Sequence, residues 1–187
     1  MGTKQYRFIF IGVLLAGSVL LANGNYISAK AWLAQYFIER AWHMQIKYSK
    51  PTKPWPWADT HVSGKLDFAN LSLMVLEGTN LRNLAFGPTR LSTSATTNEL
   101  GNIVIFGHRD THFAKLQTLT LGEQIRFTQH ITKIYEVSEI AIVDADAVEV
   151  TFPTQDDVIT LITCYPFDEL SSEAELRYIV RAHAIKV

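Results

Sequence analysis

The stretch DVITLITCYPFDELSSEAELRYIVRAHAIKV, residues 157–187, decides the fold. Val158–Cys164 is an apolar, β-branched run too short for a helix, and Arg177–Val187 is a second such run. A polar, acidic loop, YPFDELSSEAEL, separates them. Two β-rich runs around a polar loop read as a hairpin, and a hairpin returning from Cys164 brings Arg177 back beside it. Further runs of the same kind recur upstream: HVSGKLDF, LSLMVLEG, NIVIFGH, QIRFTQ and KIYEVSEIAIV. Only brief helical stretches, NLRNLAFG and THFAKLQTL, lie among them. The spacing predicts an all-β sheet or barrel with short helices. Helices long enough for a parallel βαβ arrangement are lacking.

Cys164 is the only cysteine of the 187 residues, so it is packed, reactive or paired with another molecule. Most free cysteines are small buried apolar residues. A reactive one needs a base or a cation nearby, because the ordinary thiol is largely protonated at neutral pH. His108 closes the run NIVIFGH at what reads as a strand end, as Cys164 closes VITLITC, so the two ends can converge although 56 positions separate them. His112 lies four residues further on and competes for the same role. Asp110 either orients an imidazole or, with Thr111, caps the THFAKL turn. Arg177 offers a fixed guanidinium for a developing oxyanion. Its alternatives are a surface ion pair with Asp168, Glu169, Glu173 or Glu175, and Arg181 is a rival donor. His108 and His112 have no second cysteine or acidic cluster around them to complete a zinc site, and the acidic residues are too scattered for calcium. No metal and no cofactor is expected.

A net charge of -1 and the absence of a dense Lys/Arg stretch argue against a nucleic-acid partner. The N-terminus has another character. Lys4 and Arg7 precede an uncharged apolar run, Phe8 to Ala22, that stays uncharged to Lys30. Residues 8–29 are long enough to cross a bilayer, and the basic flank sets the cytoplasmic side. A single-pass anchor is favoured over a cleaved signal peptide. AKAWLAQYFIERAWHMQI then reads as helix, either continuing the anchor or starting anew, and the three prolines of SKPTKPWPWADT end it. Trp55 and Trp57 cover either a core edge or an interfacial surface, and the core edge is the expectation because exposed Trp pairs are uncommon. The expected division is a membrane anchor over 1–30, a helical segment and Pro/Trp-rich connector over 31–57, and a catalytic β-barrel over 58–187.

TLITC, followed thirteen positions later by Arg177 at a strand start and preceded by the Gly-His of His108, resembles the sortases, membrane-anchored cysteine transpeptidases. AKAWLAQ, PWPWADT, LAFGP, GNIVIFGHRDTHF and TLITCYPF are similar to the Gram-negative subgroup. The resemblance implies an eight-stranded sortase β-barrel after an N-terminal transmembrane helix. It also implies His108, Cys164 and Arg177 as the catalytic set. The implied partners are a substrate protein with a C-terminal Leu-Pro-x-Thr-Gly-like sorting signal, an amine acceptor and the inner membrane, with the catalytic domain on the periplasmic side. In the implied chemistry Cys164 forms a thioester that an amine resolves. Three functions remain open: a transpeptidase, a cysteine hydrolase using water at the same residues, and a membrane-tethered barrel in which Cys164 is inert.

Overall fold

The computed structural model describes residues 3–169 and 174–185, without the side chains at 3–5, 15–16, 19–25 and 27–28. The chain forms two compact units, 1–37 and 38–187. A continuous helix, α1, spans Thr3–Tyr48, so the segment after residue 29 continues the first helix. Within the described residues no helix is long and apolar enough to cross a membrane. The expected anchor over 8–29 falls partly on residues whose side chains are outside the described ones.

In the second unit, the last turns of α1 bury Ile38, Ala41 and Trp42 in one apolar cluster with Val62 and Leu76. The spacing of three and four places these side chains on one face of the helix. Trp55 packs on the same cluster and meets Phe86 edge-on, with ring centroids 5.2 Å apart. Trp57 corrects the expectation of a paired cover: it is 82% exposed, because it sits inside the turn that the Ala58 amide closes on the Trp55 carbonyl at 3.0 Å.

Eight strands follow: β1 (Val62–Phe68), β2 (Leu71–Glu77), β3 (Thr89–Arg90), β4 (Gly101–Phe106), β5 (Gln124–Thr128), β6 (Thr132–Asp144), β7 (Asp157–Tyr165) and β8 (Leu176–Ala184). A one-turn helix α2 (Leu81–Leu84) and two 3-10 turns, Ala114–Thr118 and Val148–Thr151, lie between them. The strands close into a barrel in the order β1-β2-β3-β4-β7-β8-β6-β5. Closure leaves no free sheet edge.

Seven of the strands coincide with runs recognisable in the sequence. The exception is the two-residue β3, which is too short to show any period. Two of the pairings are parallel, β2 with β3 and β4 with β7. Neither needs a long intervening helix. The β2–β3 crossover is α2 and its flanks, whereas β5 and β6 form the crossover from β4 to β7.

Side chains alternate between the two faces of each strand. Ile103 and Ile105 of β4, Ile159 and Leu161 of β7, and Val180 and Ala182 of β8 point into the main core with Leu66, Phe127 and Tyr135. Val104, Ile162 and Ile179 point the other way, into a smaller outer cluster covered by Leu91, Phe106, Val143 and Val150. At one end of the barrel Asp157 of β7 is paired with Lys133 of β6 and receives a hydrogen bond from the Tyr135 hydroxyl. Burial first, and the Asp157 carboxylate second, hold the Tyr135 phenol far above its ordinary ionisation range.

Candidate active site

Cys164 lies near the end of β7 on the outward-facing side, the parity of Ile162. Across the antiparallel β7–β8 pair its Cα partner is Arg177, which shares the outward parity of Ile179. The polar loop therefore does what a hairpin should: thirteen residues after the thiol, the chain returns a guanidinium to its side. Arg177 Nη1 donates to the carbonyls of Ala174 at 2.8 Å and Leu176 at 3.0 Å. Those bonds brace the group against its own backbone. Of the acidic alternatives, Glu169 is engaged by Arg109 instead, and Glu173 lies outside the described residues. Arg181 is set apart from Cys164. Its Cα partner on β7 is Thr160, four residues from the thiol, and its guanidinium is taken by Glu139 at 3.0 Å.

His108 arrives from the other side. In the parallel β4–β7 pair Gly101 faces Asp157 and Phe106 faces Ile162. The same offset, carried past the end of β4, matches His108 to Cys164. Two hydrogen bonds hold that extension. The Gly107 amide donates to the Ile162 carbonyl at 3.1 Å, and the buried Thr163 hydroxyl donates to the Gly107 carbonyl at 2.7 Å. Cys164 thus stands on the middle strand of three, with the histidine-bearing turn on one neighbour and Arg177 on the other, each about 4.8 Å away in strand spacing. The glycine of the Gly-His pair has a steric cause: a Cβ on Gly107 would fall 2.6 Å from the ring of Phe113, which folds back over the turn and is fully buried.

The His108 carbonyl accepts from the Phe113 amide at 3.0 Å, which closes the turn. Neither Asp110 nor Thr111 caps the 3-10 turn that follows. Its N-cap is Phe113, without a side-chain hydrogen bond, because the fold-back of Phe113 shifts the helical start past both residues. His112 is half-buried, and its Nδ1 is 3.4 Å from the Thr111 hydroxyl. Its pKa is lowered, chiefly by burial and then by the charge of His108, with Asp110 opposing. The fold thus keeps the second histidine within electrostatic reach of the first.

Arg109, which sequence reasoning passed over, is 8% exposed although it follows His108 directly. Its guanidinium meets the Glu169 carboxylate at 3.5 Å. That ion pair joins the turn carrying His108 to the loop leaving Cys164. A buried arginine in a turn leaves no periodic signal in a sequence. Among the described residues no group of three or more His, Cys, Asp or Glu is placed to hold a metal ion.

Comparison with known proteins places the chain in a family. The family model described as "Sortase domain" matches residues 65–185, a span that contains all three residues. Sortase D of Bacillus subtilis (strain 168) is 34% identical over 113 residues, covering 59% of this chain and 57% of that protein. The chain thus spans less than two thirds of that relative's length. Sortase A of Listeria monocytogenes serovar 1/2a is 27% identical over 180 residues, 83% of this chain and 80% of that protein. The solved structure of Listeria monocytogenes sortase A superposes with a TM-score of 0.60 at 28% identity, over 67% of this chain and 88% of that one. A Clostridium perfringens sortase D5 transpeptidase gives 0.67 at 20% identity, over 82% and 99%. The latter is a likeness of fold alone.

Proposed function

Because the chain belongs to the sortase family, we propose that it is a cysteine transpeptidase whose nucleophile is Cys164. The observation that carries this reading is the placement of Cys164 on the middle strand, with Arg177 as its Cα partner and His108 matched to it along the β4–β7 register. In the proposed reaction the Cys164 thiolate attacks a backbone carbonyl of a Leu-Pro-x-Thr-Gly-like sorting signal. Arg177 donates to the oxyanion that forms. His108 gives its proton to the leaving amine, the C–N bond breaks, and a thioester remains on Sγ. An incoming amine then loses its proton to His108, attacks the thioester and restores the thiolate.

We place the enzyme in the cytoplasmic membrane, with 8–29 as anchor and the barrel on the outer side, which in a Gram-negative cell is the periplasm. Lys4 and Arg7 before the uncharged run Phe8 to Ala22 support this, by the excess of cationic residues on cytoplasmic flanks. The exposed side chains of Phe8, Ile9, Phe10, Ile11, Val13 and Leu14 support it too. Assignment to the Gram-negative subgroup rests on PWPWADT and GNIVIFGHRDTHF.

The test is incubation of the full chain in detergent with a Leu-Pro-x-Thr-Gly peptide, followed by mass spectrometry. An acyl adduct on Cys164, and incorporation of an added amine into the released product, are expected. Adduct without amine incorporation would make the protein a hydrolase. No adduct with any signal peptide would refute the reading.

A further inference from the structure

No acidic residue precedes Glu39, and Lys30 is the only charge from 8 to 38. Along α1 that stretch divides by length. At about 1.5 Å per residue the uncharged residues 8–29 measure about 33 Å, close to the roughly 30 Å of a bilayer's hydrocarbon. The apolar surface does not stop with them. Between Lys30 and Glu39 the side chains of Trp32, Leu33 and Tyr36 are exposed. From Glu39 on, exposed charges of both signs appear, with Arg40 and Lys47. Residues 8–37 together measure about 45 Å, which matches the roughly 40–45 Å of a bilayer with its headgroups. The first compact unit also ends at 37.

Trp32 and Tyr36 stack, with ring centroids 6.1 Å apart and planes 15° from parallel, as a spacing of four on a helix allows. Each lies two residues from Ala34, which is about 160° round the helix. Ala34 is buried, whereas Trp32 and Tyr36 are 71% and 51% exposed. The aromatic pair therefore projects away from the buried face. Indole and phenol carry an apolar ring with one polar edge, and such side chains gather where hydrocarbon meets water. The exposed Lys30, on a stretch without acids, complements the charge of lipid phosphate. Tyr6, exposed beside Arg7, repeats the arrangement at the other end of the uncharged run. We propose that Trp32 and Tyr36 form an aromatic belt that docks α1 into the lipid headgroup zone of the outer leaflet, about 5 and 10 Å beyond residue 29. The belt holds the helix at one depth against sliding along its axis. The inference rests on the anchor reading above and is independent of the chemistry at Cys164.

The test uses the full chain in vesicles of phosphatidylethanolamine and phosphatidylglycerol. The vesicles are doped with a lipid carrying a nitroxide on its headgroup or a bromine at the end of its acyl chain. Subtracting the emission of Trp32→Phe from that of the wild type isolates Trp32, because Trp42, Trp55 and Trp57 are common to both. The headgroup probe is expected to quench that emission about twofold more than the chain-end probe. In Trp32→Phe/Tyr36→Trp the indole at 36 should respond to the headgroup probe more strongly still, one turn further out. Both variants should melt as the wild type does, because neither ring is buried. Strongest quenching by the chain-end probe would put the pair in hydrocarbon and overturn the inference. An emission that neither probe reaches, in protein that alkaline carbonate does not extract, overturns the inference alone and leaves the stripe to water or to a second copy of the chain. Extraction of the wild type by carbonate overturns the anchor reading, and the inference with it.

Discussion

Cys164 and Arg177 are Cα partners across the β7–β8 hairpin, and both take the outward parity of the strands that carry them. Their proximity is written into hydrogen-bond register, so it does not depend on the course of the loop between them. A slip of one residue in that register would send one of the two side chains to the opposite face.

That register sets the first prediction. Arg177→Lys keeps the charge but loses the planar two-donor fork, and should lower turnover of a signal peptide roughly 100-fold. Arg181→Lys should cost little, because Arg181 lies opposite Thr160 and is occupied by Glu139. Turnover of both variants, with thermal melting to confirm folding, checks this. A large loss at Arg181 with none at Arg177 would transfer the role.

Gly107→Ala drives a methyl into the Phe113 ring, 2.6 Å away, and one of the two must move. The turn carrying His108 is expected to shift, with a loss of kcat on the order of 100-fold, the scale of a 1 Å misplacement. The double variant Gly107→Ala/Phe113→Leu relieves the collision and should regain activity. If the double variant is as slow as the single one, the crowding is not what places His108.

Stability should respond to pH through His112. In the folded chain its pKa lies below the ordinary value, mainly through burial and secondarily through His108. A depressed folded value means that the unfolded chain takes up the proton more readily. The contribution is therefore complete above the unfolded value of about 6.5 and is lost as pH falls through the folded value. Melting temperature should drop between pH 7 and pH 5, and His112→Asn should flatten that drop. An unchanged slope in the variant would assign the effect to other groups.

Arg109→Ala leaves Glu169 without this guanidinium and loosens the link between the two loops of the site. A buried charged pair broken on one side is costly, about 3–5 kcal/mol where burial is complete. Glu169 is partly exposed, so the loss should fall below that range. Arg109→Lys, which keeps the charge, should recover part of it. Chemical denaturation of the three forms measures the difference. Equal stability of all three would show that the ion pair contributes nothing.

Trp42 is 5% exposed in the cluster with Ile38, Val62 and Leu76, and Trp42→Ala should cost about 3–5 kcal/mol. Denaturation of the full chain checks it. A cost below about 1 kcal/mol would mean that the end of α1 is dispensable to the unit 38–187.

The sequence made the strands legible where β-branched runs were long enough to carry a pattern. VITLITC and NIVIFGH marked β7 and β4, and with them the places of Cys164 and His108. The hairpin put Arg177 beside Cys164 but left Arg181 as a rival donor. Thr89 and Arg90 form a strand by pairing with Phe106 and Ile105, a tertiary event with no local signature. The parallel pairs were hidden for a related reason: the length of segments between successive strands says nothing about partners that are not successive. Trp57 was misjudged because a Pro-rich stretch offers no periodicity to tell which indole turns inward. Arg109 escaped because its partner, Glu169, lies 60 residues away.

The parallel pairing of β4 with β7 has a practical corollary for protein engineering. It sends both strands toward the same pole of the barrel, so the opposite pole, where Thr128 meets Thr132 and Ala184 lies beside Tyr135, is remote from the thiol. The β5–β6 turn there, with Ile131 exposed, is a natural splice point. A reporter or affinity module grafted at 130–131 would ride on the finished barrel as a passenger, leaving the chemistry at the far pole to proceed unburdened.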